Sequence, residues 1–119
     1  MFIAIEGIGG SGKGTVKARL AALLQERNVP HVLTREPGGT PIAEHLRTLV
    51  REGFTIDGEV QFATPMATAL LFNAARSEHW VGLIQRSLSD GKLVLCDRFC
   101  DTTFTYQSVF MGVDLDKLR

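Results

Sequence analysis

The chain has 119 residues, is 45% hydrophobic and carries no net charge, with 13 Lys and Arg against 13 Asp and Glu. This length allows one domain, and the charge balance argues against a nucleic-acid or membrane surface. No apolar run reaches the roughly 18 residues of a membrane span, and the N-terminus lacks a signal-peptide pattern. Cys96 and Cys100 have no histidine near them in sequence, which favours reduced thiols and a cytoplasmic location.

The first fifteen residues combine the patterns of a strand, a glycine-rich loop and the start of a helix. The apolar run Phe2–Ile5 predicts a strand buried on both faces. Five of the eight residues from position 7 to position 14 are glycine. The apolar spacing after Lys13 predicts a helix to about Arg27. In this context Gly7-x-x-x-x-Gly12-Lys13 predicts a phosphate-binding loop.

The glycine-rich loop has the chemistry that a triphosphate requires. Glycines let successive backbone N–H groups converge on phosphate oxygens, and the helix start adds the positive end of its dipole. Lys13 would bring a full charge to the β- and γ-phosphates. Gly14 stands where Ser or Thr is usual, so the hydroxyl of Thr15 is the candidate magnesium contact. The alternative is a glycine-rich turn with a solvated lysine.

The middle of the chain predicts a second strand, a loop and a capped helix. Residues 31–34 form a short apolar run typical of a strand. Two prolines and two glycines make residues 35–41 a loop. Thr40 then caps a helix that has proline at its first position and continues to about Glu52. Residues 53–58 are predicted to be a break without regular structure.

The second half of the chain continues the alternation of helices and strands. Helical spacing extends over residues 64–89, with a possible bend, and a third buried strand follows at residues 92–96. A final helix is predicted over residues 102–111. Alternating strands and helices favour an α/β fold with a parallel sheet, whose ligands bind beyond the C-terminal strand ends. Gly7, Arg35 and Asp97 all follow strand ends.

Several charged and aromatic residues are candidates for a site at this edge. Asp97 could hold magnesium through water beside the phosphates, although a strand-ending aspartate can also simply cap a turn. Arg35, Arg76 and Arg98 would ordinarily be surface residues, but arginine can grip a phosphate bidentately or donate to a base edge. Phe72 is by default a core residue, and Tyr106 is by default a half-buried phenol.

Together these residues resemble the thymidylate kinases in order and spacing. The matching segments are Ile5-Glu6-Gly7, Gly12-Lys13, Thr34-Arg35-Glu36-Pro37-Gly38-Gly39-Thr40, Leu71-Phe72-x-x-x-Arg76-x-x-His79, Asp97-Arg98 and Tyr106-Gln107. The run TREPGGT is the most specific of them. The resemblance implies a P-loop nucleoside monophosphate kinase-like parallel sheet with flanking helices. Residues 1–119 would form a single P-loop kinase domain truncated at its C-terminus, with the lid and a further strand absent.

The resemblance also implies transfer of a phosphoryl group from ATP to dTMP with Mg²⁺ as cofactor. The catalytic residues would be Lys13, Asp97 and Arg98, and Thr15 and Asp97 (through water) would hold the metal. The ATP phosphates would contact Gly7, Ile8, Gly9, Gly10, Ser11, Gly12, Lys13, Gly14 and Thr15. The dTMP site would comprise Arg35, Glu36, Pro37, Phe72, Arg76, Arg98, Thr102, Thr103 and Tyr106. In this site Glu36 and Pro37 would border the monophosphate.

Within that site the resemblance assigns distinct roles. Phe72 would stack on thymine and Arg76 would donate to a ring carbonyl. Thr102 and Thr103 would read the base edge, and Tyr106 would pack under the deoxyribose. A homodimer through helices of this half is a further expectation from the family.

Two alternatives stay open at this point. Lys13-Gly14-Thr15 also resembles the loop of adenylate kinases, so another nucleoside monophosphate kinase acting on UMP, CMP or AMP is possible. A nucleotide-binding fragment without catalysis is the other alternative. It is suggested by Gly9, which stands where the family usually has a loop carboxylate, and by the missing lid arginines.

Overall fold

The structure, a computed structural model, describes residues 1–100. The predicted final helix and the candidates Thr102, Thr103 and Tyr106 lie outside these residues. The elements are β1 (Phe2–Ile5), α1 (Lys13–Glu26), β2 (His31–Arg35), α2 (Pro41–Glu52), β3 (Phe54–Ile56), β4 (Glu59–Gln61), α3 (Pro65–His79), a π-helical turn (Trp80–Ile84), α4 (Gln85–Ser89) and β5 (Leu93–Asp97). The predicted α/β fold with a parallel sheet is confirmed.

Three strands form the parallel sheet, in the order β1-β5-β2. Ile5 and Arg35 both lie opposite Asp97 in the register, so the three strands end at one edge. Because the strands are parallel, the loops after β1, β2 and β5 all begin at this edge. Arg35 and Asp97 are the last residues of β2 and β5, and Gly7 lies two residues after the end of β1, so all three lie at this edge.

Burial differs between the central strand and its neighbours. In β5, Val94, Leu95 and Cys96 are fully buried. The prediction that β1 is buried on both faces is wrong at Ala4, which is exposed. Within residues 1–100, β1 has only one neighbouring strand, whereas β5 lies between two strands. Position in the sheet decides this burial, and the composition of the strand does not reveal it.

The predicted break at residues 53–58 is also wrong, because a small hairpin occupies this part of the chain. The strands β3 and β4 pair antiparallel across Asp57 and Gly58. Both turn residues have positive φ, 53° and 85° respectively. An Asp-Gly pair is a strong hairpin signal because it accepts the two left-handed conformations that a tight two-residue turn requires. The sequence therefore contained the signal.

Two of the three long helices, α2 and α3, begin at capping threonines. Thr40 accepts a hydrogen bond from the backbone N–H of Ala43 at 3.2 Å, and Pro41 is the first helical residue of α2. Thr64 caps α3 in the same way. The helical stretch predicted over residues 64–89 consists of α3, the π-helical turn that follows His79, and α4. Among residues 1–100, the helices are all too short or too polar to cross a membrane.

Candidate functional site

The glycine-rich loop wraps around the side chain of Lys13. Its ammonium group donates to the carbonyl oxygens of Gly7 at 2.7 Å and Ile8 at 2.6 Å. Gly12 caps α1 with a left-handed φ of 84°, a conformation that glycine adopts without strain. The loop residues themselves are exposed. The loop thus presents a cation and the positive end of a helix to solvent, which suits a phosphate.

Asp97 ends β5 with one carboxylate oxygen engaged and one not. Lys17, one turn after Lys13 on α1, lies 3.5 Å from Oδ2. Oδ1 is buried and has no hydrogen-bond partner within residues 1–100. Such a buried oxygen usually binds water or an ion.

This oxygen fits the magnesium role predicted for Asp97. Magnesium typically keeps several waters and uses only one or two carboxylates together with substrate phosphates. Among the described residues, no group of three His, Cys, Asp or Glu side chains is placed to hold a metal. Thr15 lies in the first turn of α1, exposed to solvent beside the loop.

The chain after β5 is held in place by the end of β1. Arg98 has a positive φ of 71°, and its backbone N–H donates to the carbonyl of Ile5 at 3.0 Å. The Cys96 thiol donates to the carbonyl of Arg98 at 3.0 Å. Burial raises the pKa of this thiol to about 12, so it stays protonated as a donor. The N–H of Phe99 donates to the Glu6 carboxylate at 2.6 Å.

Arg76 of α3 lies over this segment and is fixed by several groups. Its Nε donates to Oε2 of Glu36 at 2.8 Å, and its Nη1 donates to Oδ1 of Asn73 at 2.9 Å. The guanidinium lies 5.6 Å from the centre of the Phe99 ring, within cation–π range. Phe72 is half-buried one turn earlier on α3. Arg76 therefore lies beside the chain that follows Asp97 and Arg98.

Glu36 is turned into the protein. Its side chain is 4% exposed and is shared between Arg76 and His79, whose Nδ1 lies 3.2 Å from Oε1. His79 is fully buried, and its Nε2 lies 2.7 Å from the hydroxyl of Thr34. The carboxylate predicted to border the monophosphate thus contacts the arginine predicted to contact the base.

The rest of the loop after β2 is anchored on α2. The guanidinium of Arg35 pairs with Glu44 at 3.0 Å, and both side chains are substantially exposed. Glu44 also accepts the N–H of Gly39 at 3.0 Å. These two contacts, the backbone hydrogen bond first, lower the pKa of Glu44. Arg47 donates to the carbonyl of Pro37 at 3.0 Å, and the Glu36–Pro37 peptide bond is cis.

Most predicted site residues within the described range come together at one edge of the sheet, although their roles stay predictions. Sequence reasoning gave no role to the supporting residues Glu6, Lys17, Glu44, Asn73 and His79, although Glu6 and His79 lie in segments that match the family. Two weak signals existed: Lys17 follows Lys13 by one helical turn, and His79 follows Arg76 by three residues. The contact between Glu6 and Phe99, which are distant in sequence, carried no signal.

Comparison with known proteins gives a consistent result. The thymidylate kinase family model matches residues 5–119. A thymidylate kinase from Symbiobacterium thermophilum is 44% identical over 118 residues, covering 99% of this chain and 53% of that protein. One from Trichlorobacter lovleyi is 44% identical over 114 residues, covering 96% of this chain and 51% of that protein.

A solved structure is similar over the same extent. The crystal structure of thymidylate kinase from Ehrlichia chaffeensis superposes with a TM-score of 0.82 at 43% identity, covering 99% of this chain and 65% of that chain. The present chain spans about half the length of the curated relatives it matches. Because the family model covers residues 5–119 and the structural likeness extends over 99% of the chain, this chain belongs to the thymidylate kinase family.

Proposed function

We propose that this chain supplies the ATP phosphate loop and the acceptor site of an enzyme that phosphorylates dTMP to dTDP. Such a transfer needs little covalent chemistry from the protein, because positioning two nucleotides and neutralising charge lowers most of the barrier. The relatives are named thymidylate kinases, which supports this substrate pair.

On the donor side, the loop from Gly7 to Thr15 would bind the ATP phosphates. The Lys13 ammonium, now bonded to carbonyls of the loop, would exchange these contacts for phosphate oxygens and stabilise the transferred group. Asp97 and Thr15 would hold magnesium. When bound, this ion neutralises phosphate charge, and Asp97 would face it through water with Oδ1, which has no hydrogen-bond partner within residues 1–100.

On the acceptor side, Arg98 would bind the monophosphate of dTMP. Phe72 would stack on thymine, and Arg76 would donate to a ring carbonyl, with Thr102, Thr103 and Tyr106 completing the site. Arg35 and Pro37 would border the phosphate. Glu36 would act through Arg76, because its carboxylate is buried against the guanidinium rather than open to a ligand.

One observation carries the proposal. Arg76 lies 5.6 Å above the ring of Phe99, in the chain directly after Asp97 and Arg98. Phe99 is also bonded to Glu6 at the start of the phosphate loop. These contacts support the proposal, because a transfer between two nucleotides requires the arginine proposed to read the base to lie near the groups proposed to bind phosphate.

Calorimetric titration of the chain tests the proposal. We expect binding of Mg-ATP, and binding of dTMP more tightly than of UMP or AMP. Tighter binding of AMP would favour an adenylate-type kinase instead. A chain that binds neither Mg-ATP nor dTMP would contradict the proposal. Incubation with ATP and dTMP, followed by chromatography for dTDP, then separates a catalytic chain from one that only binds.

The proposal extends to the setting of the protein. We propose a cytoplasmic location, a homodimer through helices of this half and no nucleic-acid partner. The resemblance to the family supports the dimer, and the balanced charge supports the absence of a nucleic-acid partner. Sedimentation analysis at micromolar concentration would reveal a dimer, and a single monomeric species would contradict it.

A further inference from the structure

His79 is a fully buried imidazole with a partner at each ring nitrogen. Nδ1 faces the Glu36 carboxylate at 3.2 Å, and Nε2 faces the Thr34 hydroxyl at 2.7 Å. An ionised carboxylate can only accept, so Nδ1 must carry a proton. In the neutral ring, Nε2 then accepts from Thr34, whose hydroxyl can donate. The contacts thus select the Nδ1–H form of the ring or the doubly protonated one.

His79 and Arg76 bind different oxygens of one carboxylate. The histidine donates to Oε1 of Glu36 and the arginine donates to Oε2, at 3.2 and 2.8 Å. The backbone of Glu36 is already fixed, because its N–H donates to the carbonyl of Asp97 at 2.9 Å. Two donors at the far end then leave the carboxylate a single orientation, and this orientation sets the position of Nε in Arg76.

The surrounding backbone leaves room for this histidine and for little else. A Cβ atom added at Gly39 would come within 2.5 Å of the His79 ring and 2.6 Å of the Thr34 hydroxyl. The loop after β2 therefore rests directly on the imidazole. The π-helical turn begins at the next residue, Trp80, and such turns are frequent at functional sites.

We propose that His79 is a positioning residue of the acceptor site. Through Glu36 it fixes the guanidinium of Arg76 in the orientation that contacts the acceptor base. This inference rests on the proposed function, since it names a residue that serves dTMP binding without touching the nucleotide. Thr34 has the complementary task of holding Nε2 so that Nδ1 points at Glu36.

Two substitutions of His79 separate positioning from packing. Asn places an amide N–H near the Nδ1 position and can still donate to Glu36, whereas Gln reaches toward the Nε2 position and loses that donor. The control is Ile84→Val, which removes a methyl group from a fully buried residue outside the network. All three variants loosen packing, but only His79→Gln removes the hydrogen bond to the carboxylate.

Fluorescence of Trp80 reports the dissociation constant for dTMP. It is the single tryptophan of the chain, and its ring centre lies 6.3 Å from that of Phe99. We expect His79→Gln to weaken dTMP binding at least about tenfold, since a hydrogen bond to a charged group is lost. His79→Asn should stay within about threefold of the parent and Ile84→Val should match it. Binding of Mg-ATP should be unchanged throughout.

Equal weakening by Asn and Gln, or an equal effect of Ile84→Val, would overturn the inference and leave the proposed function intact. A parent chain that does not bind dTMP would overturn both. Nitrogen-15 NMR of the imidazole adds a readout without ligand. A proton on Nδ1 is expected, and a neutral ring protonated only at Nε2 would refute the positioning role whether or not dTMP binds.

Discussion

Two loops begin at the same edge of the sheet and are built in opposite ways. The phosphate loop, residues 7–12, is exposed, and its polar contacts join residues that are two to six positions apart. The acceptor loop, residues 36–40, is largely buried and is bonded to residues as far away as Arg76 and His79. The first loop is shaped by its own sequence, and the second is shaped by the helices packed against it.

The difference teaches how each loop should respond to change. Exposed polar contacts contribute little to the free energy of unfolding, because water replaces them at small cost. Buried charged contacts are costly to break, because the group left behind has lost its water. Changes in the acceptor loop should therefore reduce stability and binding together, whereas changes in the phosphate loop should reduce binding alone.

The largest effect is expected at Gly39. Its φ is 88°, and an added Cβ would lie 2.5 Å from the His79 ring. Gly39→Ala combines backbone strain with overpacking and should lower the free energy of unfolding by about 3 kcal/mol or more. Gly58 has a similar φ of 85° but open space around it, so Gly58→Ala should cost only about 1 kcal/mol. Urea denaturation measures the free energy of unfolding of both variants. Equal losses in the two variants would contradict the close contact between Gly39 and the His79 ring.

Removing the charge of Glu36 should have the next largest effect. Glu36→Gln leaves the Arg76 guanidinium buried without its carboxylate and should cost about 3 kcal/mol. The matched control is Glu44→Gln, which breaks the exposed pair with Arg35 and should cost less than about 1 kcal/mol. Chemical denaturation measures the free energy of unfolding of both variants. Similar values for the two variants would show that burial does not distinguish the loops.

The phosphate loop should show the opposite behaviour. Lys13→Met removes contacts that lie at the surface, so the free energy of unfolding should change by no more than about 0.5 kcal/mol. The affinity of the Lys13→Met variant for Mg-ATP should fall at least about tenfold, since a charge-assisted contact to phosphate is lost. Arg19→Met, an exposed change on the same helix, should affect neither quantity. A Lys13→Met variant that is strongly destabilised would contradict the claim that the contacts of the phosphate loop contribute little to stability.

The smallest effect is expected in how the contribution of Glu44 to stability depends on pH. The pKa of Glu44 in the folded chain lies below its usual value of 4.5, first because of the Gly39 N–H and then because of Arg35. This carboxylate therefore adds stability above that usual value and loses the contribution as the pH falls through its folded pKa. The stability difference between the parent and Glu44→Gln should shrink between pH 6 and about pH 3. A stability difference between these two proteins that grows as the pH falls would contradict the lowered pKa of Glu44.

Sequence patterns predicted what depends on neighbours along the chain. The Thr40 cap carries its own local chemistry, and the phosphate loop carries a recognisable spacing. The parallel sheet followed from the alternation of elements, and the common edge followed from the sheet. The hairpin was missed although Asp57-Gly58 signalled it.

Contacts between distant residues could not be predicted in the same way. Nothing in the spacing shows that Glu36 turns inward to His79, because that contact depends on how α3 packs against the sheet. Glu6 reads only as a polar residue that ends a strand, yet it binds the backbone of Phe99. The exposure of Ala4 likewise depends on the position of β1 in the sheet.

Hydrogen–deuterium exchange, with and without each nucleotide, tests the contrast between the two loops most directly. The amides of Glu36 and Gly39 are bonded at 2.9 and 3.0 Å and should exchange slowly without ligand. Amides of residues 7–12 should exchange fast and become protected only with Mg-ATP, while dTMP should protect residues near Phe72 and Phe99. Fast exchange at Glu36 and Gly39, or protection of residues 7–12 by dTMP alone, would contradict a preformed acceptor loop beside a ligand-ordered phosphate loop.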